Sequence, residues 1–322
     1  MTREFDPNSD ALDACAAFAP HRRRGCACAS GFGAQRRLFT LALLAAALPA
    51  QAQTAAREGV DVGKKSWIGG LVPPEQLEQA AQQQYLEMRK RAAQQGALAP
   101  ADNPQLVRLR AIAERIVPYS YEWNDRARQW KWEVSLFGSR QINAFCMPGG
   151  KIAFFHGLLE RLQLSDDEVA MVMGHEIAHA LREHARERVG KTVATRGAIE
   201  IGSALLGLGG GGRYLADMGG QLVTLKFGRD DETEADLVGM ELAARAGYDP
   251  RAGITLWNKM AAANKGTPPE WLSTHPSGGS RIKDIDANLA KVMPLYERAA
   301  KPGRRFGPPT ARSAPAASAG AG

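Results

Sequence analysis

Apolar residues recur every three to four positions in several stretches of this chain, and most of those stretches carry their own start and stop signals. From Pro73-Pro74 to Gln95, the residues Leu77, Ala81, Tyr85, Met88 and Ala92 share one side of a helix that Gly96 would end. Asn103-Pro104 opens a second helix, with Leu106, Leu109, Ile112 and Ile116 spaced as a core face. Trp130 to Phe137, Gln141 to Met147 and Lys151 to His156 predict short strands of a small sheet. Ser165-Asp166-Asp167-Glu168 is a capping box, followed by the apolar positions Val169, Met171, Val172, Ile177 and Leu181, with Gly190 as the stop. A glycine-rich connection at Gly207–Gly212, a helix through Glu232, and two more around Leu256 and Ile285 complete the order. No internal repeat is present. The pattern predicts an α+β fold, mostly helical, with a small mixed or antiparallel sheet next to the helix that follows the capping box.

That helix carries the candidate chemistry. His175 and His179, in Gly174-His175-Glu176-Ile177-Ala178-His179, are four apart and share a helix face, so both imidazoles can reach one zinc ion at ~2.0–2.1 Å. Glu176 then lies close to the metal without ligating it and can take a proton from an attacking water. The bland alternative is a helix with two ordinary histidines.

A catalytic zinc usually has three protein ligands and one open position. The third is sought in Asp230-Asp231-Glu232-Thr233-Glu234-Ala235-Asp236. Glu232 and Asp236 share a face there, so Glu232 can bind metal while Asp236 accepts a hydrogen bond from a ligand imidazole. Glu234 falls about 160° from Glu232 and is expected to face elsewhere, and His184 about 140° off the metal-facing side, in solvent. His156, at a strand end, is a further candidate ligand. Without the histidines, the acidic run would be read as a solvated first helical turn stabilised by the helix dipole.

The two motifs together are similar to those of the HtpX/BepA/LoiP-like zinc metallopeptidases, metallopeptidase family forty-eight, of gluzincin type. Asn143-Ala144-Phe145-Cys146-Met147-Pro148-Gly149-Gly150, Gly157-Leu158-Leu159, Ala246-Gly247-Tyr248-Asp249-Pro250 and Ser273-Thr274-His275-Pro276 with Arg281 also match, in the family's order. The resemblance implies a zincin-like domain holding one zinc ion through His175, His179 and Glu232. It makes Glu176 the general base, sets Asp236 behind a ligand, and brings His275 and Arg281 near the transition state. It further implies that substrate binds as an added strand along a sheet edge at Asn143, Ala144 and Phe145. Before the glutamate motif only Arg229 matches the family's Ser-Arg pair. Pro276 keeps His275 extended, free to approach the metal or to fill its open position and hold the enzyme latent.

The amino terminus changes the picture of where the chain works. Arg36-Arg37, the apolar run Leu38–Leu48 and Pro49-Ala50-Gln51-Ala52 predict a signal peptide cut after Ala52, by the Sec or the twin-arginine route, into a periplasm, with outer-membrane association open. Three of the four cysteines precede that cut, leaving Cys146 as a buried small residue. Of the net charge of +7, residues 1–52 hold +2 and the tail from Ala300 holds +4, which leaves +1 for the core and no nucleic-acid footprint. The chain therefore divides into a signal region (1–52), a linker and helix (53–100), the metallopeptidase domain (101–299) and a basic Pro/Ala/Gly tail (300–322). The tail is expected to be disordered and open to peripheral membrane contact. The functional expectation is an exported zinc endopeptidase that cleaves misfolded or unfolded envelope proteins. The alternative is a zinc-bearing periplasmic chaperone with little or latent proteolysis. Oligomeric state has no signal in the sequence.

Overall fold

The computed structural model describes residues 57–205, 222–264, 269–276 and 279–310. Helix α1 (Pro74–Gln94) starts on a proline and ends as the sequence predicts. Gly96 takes a φ of +65°, its N–H bonds the Ala93 carbonyl, and the Ala97 N–H bonds that of Ala92. This pair of bonds closes the last carbonyls of the helix. Helix α2 (Pro104–Ile116) is capped by the Asn103 side chain, which accepts from the Gln105 and Leu106 N–H groups, and it buries Leu106, Leu109, Ile112 and Ile116.

Strands β1 (Glu133–Phe137), β2 (Ala144–Met147) and β3 (Lys151–Phe155) form a mixed sheet in the order β1-β3-β2. β1 runs parallel to β3, and β2 antiparallel to it with Ala144 opposite Phe154 and Met147 opposite Lys151. Among the described residues no further strand pairs with the outer side of β2. Alternate residues serve two cores. Leu136, Ala144, Cys146, Ile152 and Phe154 face the main one, and Phe137, Phe145, Met147, Ala153 and Phe155 face a second beneath α1. Tyr85 of α1 ties the layers together through its hydroxyl, which lies 2.8 Å from Ser135 Oγ and 3.1 Å from the Ile152 carbonyl.

After the short α3 (His156–Arg161) comes α4 (Asp166–Leu181), with both bonds of its capping box formed at Ser165 and Glu168. Almost every residue of α4 is buried, because other elements surround it. It does not run on to Gly190. It ends at Arg182, Glu183 adopts a φ of +61°, and α5 (His184–Leu205) begins in a new direction. Gly190 lies inside α5, where a Cβ would sit 2.3 Å from the Ile68 carbonyl oxygen, so its role is close approach and not termination.

Helices α6 (Arg229–Arg245), α7 (Ala252–Ala263), α8 (Glu270–Thr274) and α9 (Gly279–Arg298) follow. α6 crosses α4 at two glycines: a Cβ on Gly174 would meet the Gly239 carbonyl oxygen at 2.5 Å, and one on Gly239 the His175 nitrogen at 2.5 Å. Only glycine at both positions lets the two backbones come this close.

The fold is α+β and mostly helical, as the pattern predicts. The tail differs over its first part: the Phe306 and Gly307 N–H groups bond Asp166, and Arg305 pairs with Asp167, so residues 300–310 are docked. A carboxylate that accepts from backbone holds a segment that has no apolar pattern of its own. The glycine-rich run at 207–212, the proposed signal region and residues 311–322 lie outside the described residues.

Candidate metal centre

Three elements converge on one point. α4 contributes His175, Glu176 and His179, α6 contributes Glu232, and the residue just after α8 contributes His275. All five side chains are buried. One donor atom from each of His175, His179, Glu232 and His275 lies within 4.8 Å of every other. His175 Nε2 is 3.0 Å from His179 Nε2 and 3.6 Å from Glu232 Oε2, and His179 Nε2 is 3.5 Å from Glu232 Oε1. Ligands at 2.0–2.1 Å from a tetrahedral zinc stand about 3.3 Å apart, so these separations fit the ion. His275 has φ −117° and ψ 84°, outside the helical region that the following Pro276 disfavours. Its Nδ1 is 3.3 Å from His175 Nε2 and 3.0 Å from Glu232 Oε1, which makes it a fourth donor.

The charges match a cation. Burial, reinforced by the neighbouring imidazoles of His175 and His275, pushes the His179 pKa well down, which favours the uncharged ring that a metal ligand needs. For Glu232, burial alone would raise the pKa, but hydrogen bonds from His179 and His275 outweigh it and hold the carboxyl below its usual range. His275 moves the other way: Glu176 and Glu232 overcome its burial and raise its pKa.

Behind each α4 histidine stands a carboxylate gripped by an arginine. His175 Nδ1 lies 3.0 Å from Asp236 Oδ1, and Asp236 accepts from Arg281 Nε and an Arg281 terminal nitrogen, both at 2.6 Å. The other terminal nitrogen of Arg281 donates to Glu232 Oε2 at 2.6 Å. The guanidinium thus sits on the outer-nitrogen side of His175, engaged with the carboxylates of Asp236 and Glu232.

The second histidine is backed through an intermediary that sequence spacing missed. His179 Nδ1 is 2.9 Å from His184 Nδ1, His184 Nε2 is 3.2 Å from Glu234 Oε2, and Arg182 Nε donates to that same oxygen at 2.8 Å. His184 is 2 % exposed and not solvated, while Glu234 is outside the converging donors, as its angle from Glu232 predicts, and meets His184 and Arg182 instead. The helical angle that put His184 in solvent fails because the helix stops at Glu183. His156 is buried at the start of α3 beside Glu160 and is not among the converging donors. Two aromatic residues were also missed: Phe227 stacks on His179 with ring centres 4.0 Å apart, and Trp271 Nε1 donates to Glu176 Oε1 at 2.6 Å.

Ala144, Phe145, Cys146 and Met147 of β2 line a narrow cleft with Glu176, His179 and His275. Its cavity volume is ≈ 30 Å³, because Leu222, Val223, Leu225 and Phe227 lie across from the strand. Asn143, just ahead of β2, accepts from the Phe155 N–H through its carbonyl and from the Ala144 N–H through its side chain. Cys146 is free and buried, and its burial pushes the thiol pKa well up.

Residues 106–289 match the model of Peptidase family M48. The mitochondrial metalloendopeptidase OMA1 of Schizosaccharomyces pombe is 33% identical over 199 residues, 61% of this chain and 56% of that protein. The Arabidopsis thaliana protein of the same name is 37% identical over 54% of this chain and 35% of its own length. The Beta-barrel assembly-enhancing protease of Escherichia coli is 31% identical over 50% of this chain and 35% of its own. The chain thus spans between about a third and three-fifths of the length of these relatives. These names overturn the expectation of a periplasmic protein, since several of the relatives are mitochondrial. Arginines ahead of a short apolar run are equally the chemistry of arginine-rich mitochondrial presequences, so the segment does not by itself establish export to a periplasm.

Proposed function

Because the chain belongs to peptidase family M48, we propose that it is a zinc-dependent endopeptidase. The observation that carries this reading is the set of donor separations among His175, His179 and Glu232, which suits one tetrahedral zinc, with Glu176 beside them. A zinc ion held there supplies the Lewis acidity that polarises a peptide carbonyl and eases deprotonation of water. Glu176 takes the proton of the attacking water and passes it to the leaving amine. Asp236 and His184 fix the outer nitrogens of the two ligand histidines, which turns both Nε2 lone pairs inward. Arg281 holds Asp236 and Glu232 in register. The outer edge of β2, at Asn143, Ala144 and Phe145, takes the substrate as an extended strand through main-chain bonds. Such pairing suits unfolded or misassembled chains, whose backbones are free, and supports a role in protein quality control.

His275 favours a second reading. Four protein donors leave no open position at a tetrahedral metal, so with His275 engaged the enzyme is latent, or acts as a zinc-bearing chaperone. In this arrangement His275 Nε2 lies 3.6 Å from Glu176 Oε1, and once released from the metal its ring is free to stabilise a developing oxyanion.

The test is digestion of an unfolded protein by the zinc-loaded full chain beside its Glu176→Gln variant. Glu176→Gln should keep zinc and fold while losing turnover about a hundredfold or more. Equal cutting by both proteins would sink the mechanism, and no cutting by either, with zinc bound in both, would favour the chaperone reading.

A further inference from the structure

A general base must be held as firmly as the metal, and the side chain that holds Glu176 comes from outside its helix. Glu176 is 2 % exposed, and Trp271 Nε1 donates to its Oε1 at 2.6 Å, a short bond of the charge-assisted kind. Trp271 belongs to α8, and its only polar side-chain atom is this donor. It can therefore stabilise the carboxylate but cannot exchange a proton with it. One N–H engages one oxygen. That oxygen is Oε1, which leaves the carboxylate's other oxygen for the attacking water.

Trp271 is itself immobilised. It is 1 % exposed, its backbone N–H bonds the Ile142 carbonyl at 3.0 Å, and its ring lies between those of Trp257 (5.3 Å) and His275 (4.9 Å). Glu270 completes the tie, accepting from the Ile142 N–H at 3.0 Å. Ile142 stands two residues ahead of β2, so one anchoring point fixes the base, the segment carrying His275 and the approach to the edge strand.

We propose that Trp271 is a positioning residue for the general base, orienting the Glu176 carboxylate by an indole hydrogen bond so that one oxygen faces the water. This rests on the peptidase reading, but the bond can be tested apart from it.

Trp271→Phe keeps an aromatic ring and removes only the N–H donor together with the second ring. In the zinc-loaded full chain it should lower kcat about tenfold, the effect of losing one charge-assisted bond, with KM and zinc Kd unchanged. Independently of activity, indole N–H resonances are recorded by ¹H–¹⁵N NMR on tryptophan-labelled protein. The chain has six tryptophans, and the signal absent from Trp271→Phe belongs to Trp271. It should lie downfield of the rest and shift upfield in Glu176→Gln. A Trp271 signal unmoved by Glu176→Gln overturns the proposal, as does wild-type kcat in folded Trp271→Phe. So does a kcat loss that brings an equal loss of zinc affinity, which would mean a merely structural role. Should Trp271→Phe fail to fold, the signal is assigned by elimination against the other five Trp→Phe variants, and the Glu176→Gln shift decides. If the wild type itself does not cut, the peptidase reading fails while the NMR result still judges the bond.

Discussion

Gly239→Ala adds one methyl group where α6 packs against α4, and it should damage the metal centre. The new Cβ would stand 2.5 Å from the His175 nitrogen and 2.8 Å from its Cα, against the 3.4 Å or more of ordinary contact. Both neighbours are helix backbone, so the relief must come from α4 and α6 separating by roughly 0.9 Å, the shortfall between those distances. Zinc tolerates only about 0.2 Å in its ligand distances. Two of the three metal donors proposed here sit on α4 and the third on α6, so the displacement falls on Glu232 against His175 and His179. Zinc affinity should drop at least tenfold, comparable with losses from disturbed support of a ligand. Stability is the weaker readout, because overpacking costs about 1–3 kcal/mol while alanine gains about 1 kcal/mol over glycine in a helix. The assay is zinc Kd by competition with a chromophoric chelator, with urea unfolding of the metal-free chain as a check on folding. Gly303→Ala is the control, since a Cβ there meets nothing within 4 Å. A folded Gly239→Ala protein with zinc affinity within twofold of wild type would refute the claim that the glycine crossing sets the site.

Other expectations follow from the same geometry. His184→Ala should weaken zinc binding about 10- to 100-fold by leaving His179 Nδ1 without its partner; an unchanged chelator titration would dismiss His184 as a support. His275→Ala should raise basal cleavage and free one metal position, and X-ray absorption reporting the same coordination number with unchanged activity would end the latch idea. Asp236 predicts a pH effect. Burial alone would raise its pKa, but Arg281 and His175 outweigh that and lower it. Its contribution to stability is therefore complete above the unfolded value of about 3.9 and is lost as pH falls through that value toward the lower folded one. Urea midpoints of the metal-free chain should accordingly fall less steeply with acid in Asp236→Asn than in wild type. Parallel curves would contradict the assignment.

The sequence by itself determined what depends on neighbours within a turn or two. Asn103 and Ser165 with Glu168 start their helices, and Gly96 ends its own, where the local pattern put them. The four-residue spacings of His175 with His179 and of Glu232 with Asp236 fixed which pairs share a face, because a helix repeats every 3.6 residues. Tertiary structure decided what those faces meet. The Gly174–Gly239 crossing joins two motifs more than fifty residues apart, and the run of each helix gives no measure of that approach. His184 was misjudged because a helical angle holds only while the helix continues, and the left-handed Glu183 ended it. Nothing in the local sequence pattern singles out Trp271. Its indole reaches Glu176 only because α8 docks on Ile142, a contact 129 residues away in the chain and invisible to any periodicity. Periodicity is a property of one segment, whereas a catalytic group is held by whichever other segment packs against it.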